Sequence, residues 1–308
     1  MSLRHVQLIR HSRIFVTMTG LHVDEFDALA DEILPRLAQA ERRRLQRPNR
    51  QRAIGAGHPF GLSPLDQLLL TLVWLRHYPI NAVLGYLFDV SESSARRTVL
   101  TVLPLLEQTG RDGMRMPQPS KKQRRSLDAL LSDLPEILVV VDSFEQRVQR
   151  PMVPAEADRH YSGKKKQHTL KSQVAVNCDT GEICAVSESV VGPTADISLL
   201  EQSALIAHLP AGVGVMGDLA YVGTDKLHPQ QLGFAPRRKP RGKPRPPADV
   251  AFNTAFSRQR IIVEHTLSRM RRFESLDQTD RHHRLWHEER VVAVAGLVNR
   301  QIRRRCLN

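Results

Sequence analysis

The sequence predicts an all-α domain over residues 1–125, followed by a mixed α/β sheet flanked by helices over residues 126–308. Three observations carry this. In the first half, apolar residues recur at three- and four-residue spacing, the period of a helix lying on a core. In the second half, short runs rich in β-branched residues, such as Val139-Val140-Val141, alternate with helical stretches. The order there is hairpin strands, a crossover helix, then a further strand, which implies a mixed sheet. With 308 residues and 41% apolar composition, the chain can build both cores.

Taken in order, Thr19-Gly20-Leu21 leads into a helix whose Phe26, Leu29, Ile33 and Leu37 share one face, ending in the solvated Glu41-Arg42-Arg43-Arg44. Gln46 to Gly61 is polar, basic and glycine-bearing and reads as a linker. Ser63 caps the next helix, Pro64 suits its first turn, and Asp66 suits the positive end of its dipole. Leu65, Leu68, Leu69, Leu72, Val73 and Leu75 then bury it to about Tyr78. Asn81 to Phe88 predicts a short helix, Asp89-Val90 a turn, and Ser91 the cap of a third helix carrying Ser93, Ser94, Arg96, Arg97 and Thr98. This is a helix-turn-helix pattern, with Arg96 and Arg97 placed to meet DNA; a plain three-helix bundle with a charged face is the alternative. Arg111 to Arg125 is a basic, polar linker between the halves.

In the second half, Ile137 to Val141 is a buried strand. Thr169 to Asn177 and Ile183 to Val191 form a hairpin about the turn Asp179-Thr180-Gly181-Glu182. Asp196 to Ala207 is the crossover helix and Val213 to Met216 the next strand. Leu232 to Pro236 is a short edge strand ended by proline. Helices over Val250 to Phe273 and about Trp286 to Arg303 close the chain, with Trp286 as a core anchor or, in the alternative, a stacking partner for an unpaired base.

Lys plus Arg is 45 against 32 for Asp plus Glu, a net charge of +13, which predicts attraction to a polyanion, most often nucleic acid. Cys178, Cys184 and Cys306 form no CxxC pair, against both a zinc site and a disulfide scaffold. No apolar stretch could span a bilayer, and the N-terminus lacks an apolar leader core. The expectation is a cytoplasmic, nucleoid-associated protein without a membrane partner.

Acids inside so basic a chain need a reason. Asp142 ends the run Ile137 to Val141, and Asp218 ends Val213 to Gly217. Parallel neighbouring strands can bring two such side chains to one spot. Glu264 lies in an arginine-rich helical stretch. Asp196 is a rival second acid, but its position suits a helix N-cap better. Such oxygen-only ligands favour Mg²⁺ or Mn²⁺ over Zn²⁺.

Five segments then resemble, in order, the motifs of one family. They are Val140-Val141-Asp142-Ser143; Tyr161 through Lys171, with its Lys164-Lys165-Lys166; Gly192-Pro193-Thr194-Ala195-Asp196; Gly217-Asp218-Leu219-Ala220-Tyr221; and Val263-Glu264 with Arg260, Arg269, Arg271 and Phe273 around it. They are similar to a DDE-superfamily transposase of the Harbinger-related insertion-sequence type, whose catalytic core is RNase H-like. The chain departs from that pattern at Ser143, where glycine is frequent, at Arg271, where lysine is common, and at Ser257, where related groups carry tyrosine.

The resemblance implies a metal-dependent endonuclease and polynucleotidyl transferase with Asp142, Asp218 and Glu264 as catalytic, metal-binding residues. Two Mg²⁺ ions about 3.5–4 Å apart would serve an in-line displacement. It also implies double-stranded DNA partners, both transposon ends and target, and a homodimer on DNA. Lys164, Lys165, Lys166, His168 and Lys171 are candidate phosphate contacts, or a solvated basic turn. Arg260 and Arg271 either contact DNA or neutralise Glu264. Arg237 to Arg245 is a strap over the DNA backbone or a plain loop. His282, His283 and His287 read as surface histidines. Two rivals stand beside the transposase: a domesticated, non-catalytic DNA-binding regulator, and an RNase H-like nuclease without strand transfer.

Overall fold

The structure, a computed structural model, describes residues 2–46, 61–118, 137–203, 205–211, 213–224 and 232–307. Most of the linker expected over 46–61, and the basic stretch from 119 to 125, lie outside the described residues. The chain packs as two compact units. One comprises Met1–Gly113, Arg271–Gln278 and Val292–Asn308; the other comprises Met114–Met270 and Thr279–Val291.

The first unit is helical: α1 (His5–Leu8), α2 (Ser12–Thr19), α3 (Val23–Leu45), α4 (Pro64–His77), α5 (Asn81–Phe88) and α6 (Glu92–Gly113). The caps act as their residue types dictate. Ser63 Oγ accepts the Asp66 N–H at 3.1 Å, and Asp66 in turn accepts the His5 N–H at 2.7 Å. Leu68 through Leu75 is buried all round, so α4 is the axis of the unit. Between α5 and α6 the chain turns through Asp89, at φ 51°, and the Val90 N–H bonds the Gly85 carbonyl at 2.9 Å. A Cβ on Gly85 would lie 2.7 Å from the Val90 carbonyl oxygen, so the tight turn requires glycine. Ser91 Oγ caps α6 through the Ser94 N–H at 3.2 Å. Ala95, Thr98, Val99, Val102, Leu103 and Leu106 face the core, leaving Arg96 and Arg97 exposed.

The second unit holds a sheet built from β1 (Ile137–Arg147), β2 (Tyr161–Ser162), β3 (Gln167–Asn177), β4 (Ile183–Val186), β5 (Val190–Val191), β6 (Gly214–Met216) and β7 (Leu232–Phe234). A short helix, α7 (Pro154–His160), leads into β2; α8 (Asp196–Gln202) crosses over to β6; α9 (Pro247–Arg271) follows β7. The strand order is β2-β3-β1-β6-β7, with β4 and β5 also pairing on β3. β1 is antiparallel to β3 and parallel to β6, which is parallel to β7. The mixed sheet is therefore as expected, and its core gathers Val139, Val141, Ala175, Leu200, Ile206 and Val215.

Several boundaries differ from the sequence reading. β1 does not stop at Val141; it continues to Arg147, because β3 supplies an unbroken ladder as far as Arg147 opposite Thr169. Asp142 is thus inside a strand, opposite Val174. The strand expected over 183–191 is split, because Ser187 Oγ rather than a carbonyl takes the Gln173 N–H, at 2.9 Å. The crossover helix ends at Gln202 rather than Ala207.

Two last helices, α10 (Glu274–Asp277) and α11 (His287–Leu307), supply the segments that return to the helical unit. From Val292 onward α11 buries Val294, Ala295, Val298 and Ile302. It can approach α6 closely because Gly296 and Gly110 meet there; a Cβ on Gly296 would sit 2.6 Å from the Gly110 Cα. Trp286 is half-buried rather than a core anchor. The buried large side chain of that stretch is Arg290, paired with Asp280.

Candidate active site

The parallel register of β1 and β6 pairs Val140 with Met216. Two residues further along each strand direction lie Asp142 and Asp218, so period-2 alternation sends both carboxylates the same way. Gly217 lets the chain turn there: a Cβ would lie 2.6 Å from Tyr221, whose ring packs against the glycine. Asp218 then caps the 3-10 turn Leu219–Tyr221, its Oδ1 accepting the Ala220 N–H at 2.7 Å.

Three aspartates share this spot. Burial pushes the Asp142 carboxyl above the ordinary carboxylate value; the Ser143 N–H and Arg260 oppose that, while Asp218 and Asp196 push it higher. Tyr221, buried beside them, has its phenol pushed up by burial and then by Asp196, Asp142 and Asp218. Asp196 is not the N-cap of α8; Ala195 is, and Asp196 is the first helical residue. Its Oδ1 accepts from Ser143 Oγ at 2.7 Å and lies 3.0 Å from Lys171 Nζ. The acid set aside as a cap therefore belongs to the cluster, and the local sequence carried no signal for it beyond its glycine-led turn.

Glu264 behaves differently. It is exposed on α9, and the residue of that helix that reaches the cluster is Arg260, 3.5 Å from Asp142 Oδ2. Of the two readings of Arg260, neutralising an acid is the one the structure favours, and the acid is Asp142 rather than Glu264. Among the described residues, no three His, Cys, Asp or Glu groups are arranged to hold a metal ion. The donor chemistry nonetheless fits a hard divalent cation. Asp142 and Asp218 are all-oxygen donors, close enough that the Asp218 charge raises the Asp142 proton affinity, and Asp142 Oδ2 has the Arg260 guanidinium at 3.5 Å.

The basic residues divide. Lys164, Lys165 and Lys166 are exposed in the turn between β2 and β3, with Lys166 at φ 53°. His168 is half-buried, edge-on to Tyr161 at 5.5 Å. Lys171 is not a surface phosphate contact: it is 6% exposed and bonded to Asp196 and the Thr194 carbonyl, because its strand position points it into the acidic cluster. Arg271 is exposed and falls in the helical unit. The run from Arg237 to Arg245 is exposed and irregular, and Arg237 is fastened to α9 by stacking on Phe252 and pairing with Asp249. His287 is fully buried, unlike the surface histidine expected. Among the described residues, no helix is long and apolar enough to cross a membrane.

Comparison with known proteins agrees with this layout. Residues 60–112 match the family described as helix-turn-helix of DDE superfamily endonuclease. Over 291 residues, 94% of this chain and 95% of the relative, the sequence is 26% identical to a protein of Microchaete diplosiphon named "Probable transposase for insertion sequence element IS702". Residues 141–299, just over half of the chain, match the DDE superfamily endonuclease, and the match begins one residue before Asp142. This chain therefore belongs to the DDE superfamily of endonucleases and carries that superfamily's helix-turn-helix upstream of its catalytic domain.

Proposed function

We propose that the protein is a transposase that binds the terminal inverted repeats of a mobile element, cuts the element's ends and joins their 3′-hydroxyls to target DNA. The observation that carries this is the gathering of Asp142, Asp218 and Asp196 beside the adjacent strands β1 and β6 of a strongly basic chain. Acidic oxygens concentrated there favour a cation, and the cationic surroundings favour phosphate.

Asp142 and Asp218 would hold the metal, and Glu264, exposed on α9 in the free protein, would join them as the third carboxylate only when metal and DNA are bound. Two Mg²⁺ or Mn²⁺ ions, when bound, supply charge stabilisation to an in-line phosphoryl displacement. The chain's own groups do the rest. Ser143 N–H fixes one oxygen of Asp142 at 2.8 Å. Arg260 balances the charge of the other, at 3.5 Å, and would be free to turn to a phosphate if a bound cation took over that role. Arg96 and Arg97 on the exposed start of α6 read the repeat, and Lys164 to Lys166 contact the backbone of the bound strand. Pairing two ends requires two copies, so the acting form is a homodimer on DNA, in the cytoplasm at the nucleoid.

The test uses DNA carrying the flanking inverted repeat. Asp142→Asn and Asp218→Asn are expected to abolish Mg²⁺-dependent cleavage and joining while repeat binding stays within about threefold of wild type, a difference under 1 kcal/mol. Cleavage retained by either variant would refute the site. Cut but never joined products from wild type would leave a nuclease without strand transfer.

A further inference from the structure

The acids are connected by a run of hydrogen bonds that begins at a buried lysine. Lys171 Nζ donates to the Thr194 carbonyl at 2.5 Å and lies 3.0 Å from Asp196 Oδ1, with Glu145 Oε1 at 3.9 Å. A lysine this enclosed is tolerated only when its charge is matched, and the Asp196 carboxylate beside it is that match and is held in place by it. The Asp196 main chain is fixed too, its carbonyl accepting from Gln173 Nε2 at 2.5 Å. The same Asp196 Oδ1 takes the Ser143 hydroxyl at 2.7 Å, and the Ser143 amide holds Asp142 Oδ1 at 2.8 Å. Asp142 is thus gripped by one oxygen, and Oδ2 is turned toward Arg260.

Asp196 already has a lysine and a hydroxyl on one oxygen, so it serves better as an anchor than as a ligand. Ser143 is the hinge of the arrangement, because its side chain reaches Asp196 while its backbone reaches Asp142. A glycine at this position would keep the amide bond and lose the anchor.

We propose that Lys171, Asp196 and Ser143 form a positioning relay that fixes the orientation of the Asp142 carboxylate and presents its Oδ2 to the divalent cation. This rests on reading Asp142 as a metal ligand. Partners of this kind set metal affinity or activity by about 10–100-fold.

Mn²⁺ titration of the full-length protein without DNA, read from the electron paramagnetic resonance signal of free Mn²⁺, tests the relay. Ser143→Ala, Ser143→Gly and Asp196→Asn should each weaken Mn²⁺ binding by about 10–100-fold. Ser143→Thr, which keeps the hydroxyl, should restore it. In cleavage assays the same variants should lower kcat and leave the KM for repeat DNA unchanged. Ser143→Ala removes only one oxygen, so it keeps the test decisive even if Asp196→Asn fails to fold. Wild-type Mn²⁺ affinity in both Ser143→Ala and Ser143→Gly would overturn the relay, as would Mn²⁺ binding indifferent to Asp142→Asn. Failure of the transposase reading looks different: wild type would bind Mn²⁺ through Asp142 yet cut no repeat DNA.

Discussion

His287 is a residue whose chemistry departs far from its ordinary behaviour. It is wholly buried, its Nδ1 2.7 Å from Ser189 Oγ, which in turn meets Ser172 Oγ at 3.0 Å. Burial pushes its pKa down to about 3, with Arg290 adding to the effect and Asp280 opposing it. The adjacent Asp280 is pushed up by burial, but the hydrogen bonds and charge of Arg290 outweigh this and hold it low. Unfolded His287 titrates near 6.5. Between that value and about 3 the unfolded chain carries a proton that the folded chain refuses, so stability rises with pH and is lost on acidification. Between pH 6.5 and 5 the contribution should fall by up to about 1.4 kcal/mol per pH unit. The urea midpoint of wild type is expected to drop across this range, and His287→Gln to flatten the drop. Equal slopes in both would assign the acid sensitivity elsewhere. Asp280 titrates below this window and does not confuse it.

At the level of elements, the helix-turn-helix depends on backbone contact more than on side chains. Gly85 sits under the Val90 carbonyl and the Glu92 amide, 2.7 and 3.2 Å from where a Cβ would stand, and neither group can move without opening the turn. Gly85→Ala is therefore expected to destabilise the helical unit by roughly 1–3 kcal/mol and to weaken repeat binding. Mn²⁺ affinity, a property of the sheet unit, should not change. An alanine variant that binds the repeat normally would remove the turn from the interface. The acidic site shows the same economy of position. Strand β1 carries Asp142 only because the β3 ladder extends it beyond its apolar run, and the β1–β6 register aligns Asp142 with Asp218.

For the whole molecule the governing quantity is the net charge of +13, set against a small acidic focus. Binding of a polyanion should weaken steeply with salt, since each phosphate neutralised releases condensed counterions. Replacing Lys164, Lys165 and Lys166 by glutamine is expected to flatten the slope of log affinity against log salt by about one for each lysine that meets a phosphate. Preference for the repeat over random DNA should be unchanged, because backbone contacts carry no sequence information. A changed preference with an unchanged slope would place the three lysines off the backbone path. The same scale explains the interleaved units: the apolar face of α11 from Val292 onward is covered in the helical unit, which therefore includes the end of the chain.

The sequence by itself determined the helices, the helix-turn-helix, the order of the strands and the two aspartates that come after apolar runs. Each is a local pattern: Ser63 and Ser91 cap, apolar residues repeat every three or four positions, and an aspartate follows a β-branched run. The DDE superfamily was legible for the same reason, since its motifs are short segments in a set order. Only the tertiary structure decided that Asp196 joins the cluster, that Lys171 is buried against it, that Arg260 rather than Glu264 reaches Asp142, and that His287 lies in a core. Ser143 and Asp196 are 53 positions apart, and Ser189 and His287 are 98 apart. Periodicity describes which way a residue faces on its own helix or strand. It says nothing of which distant residue will be waiting there, because that is set by how the whole sheet and its helices close on one another.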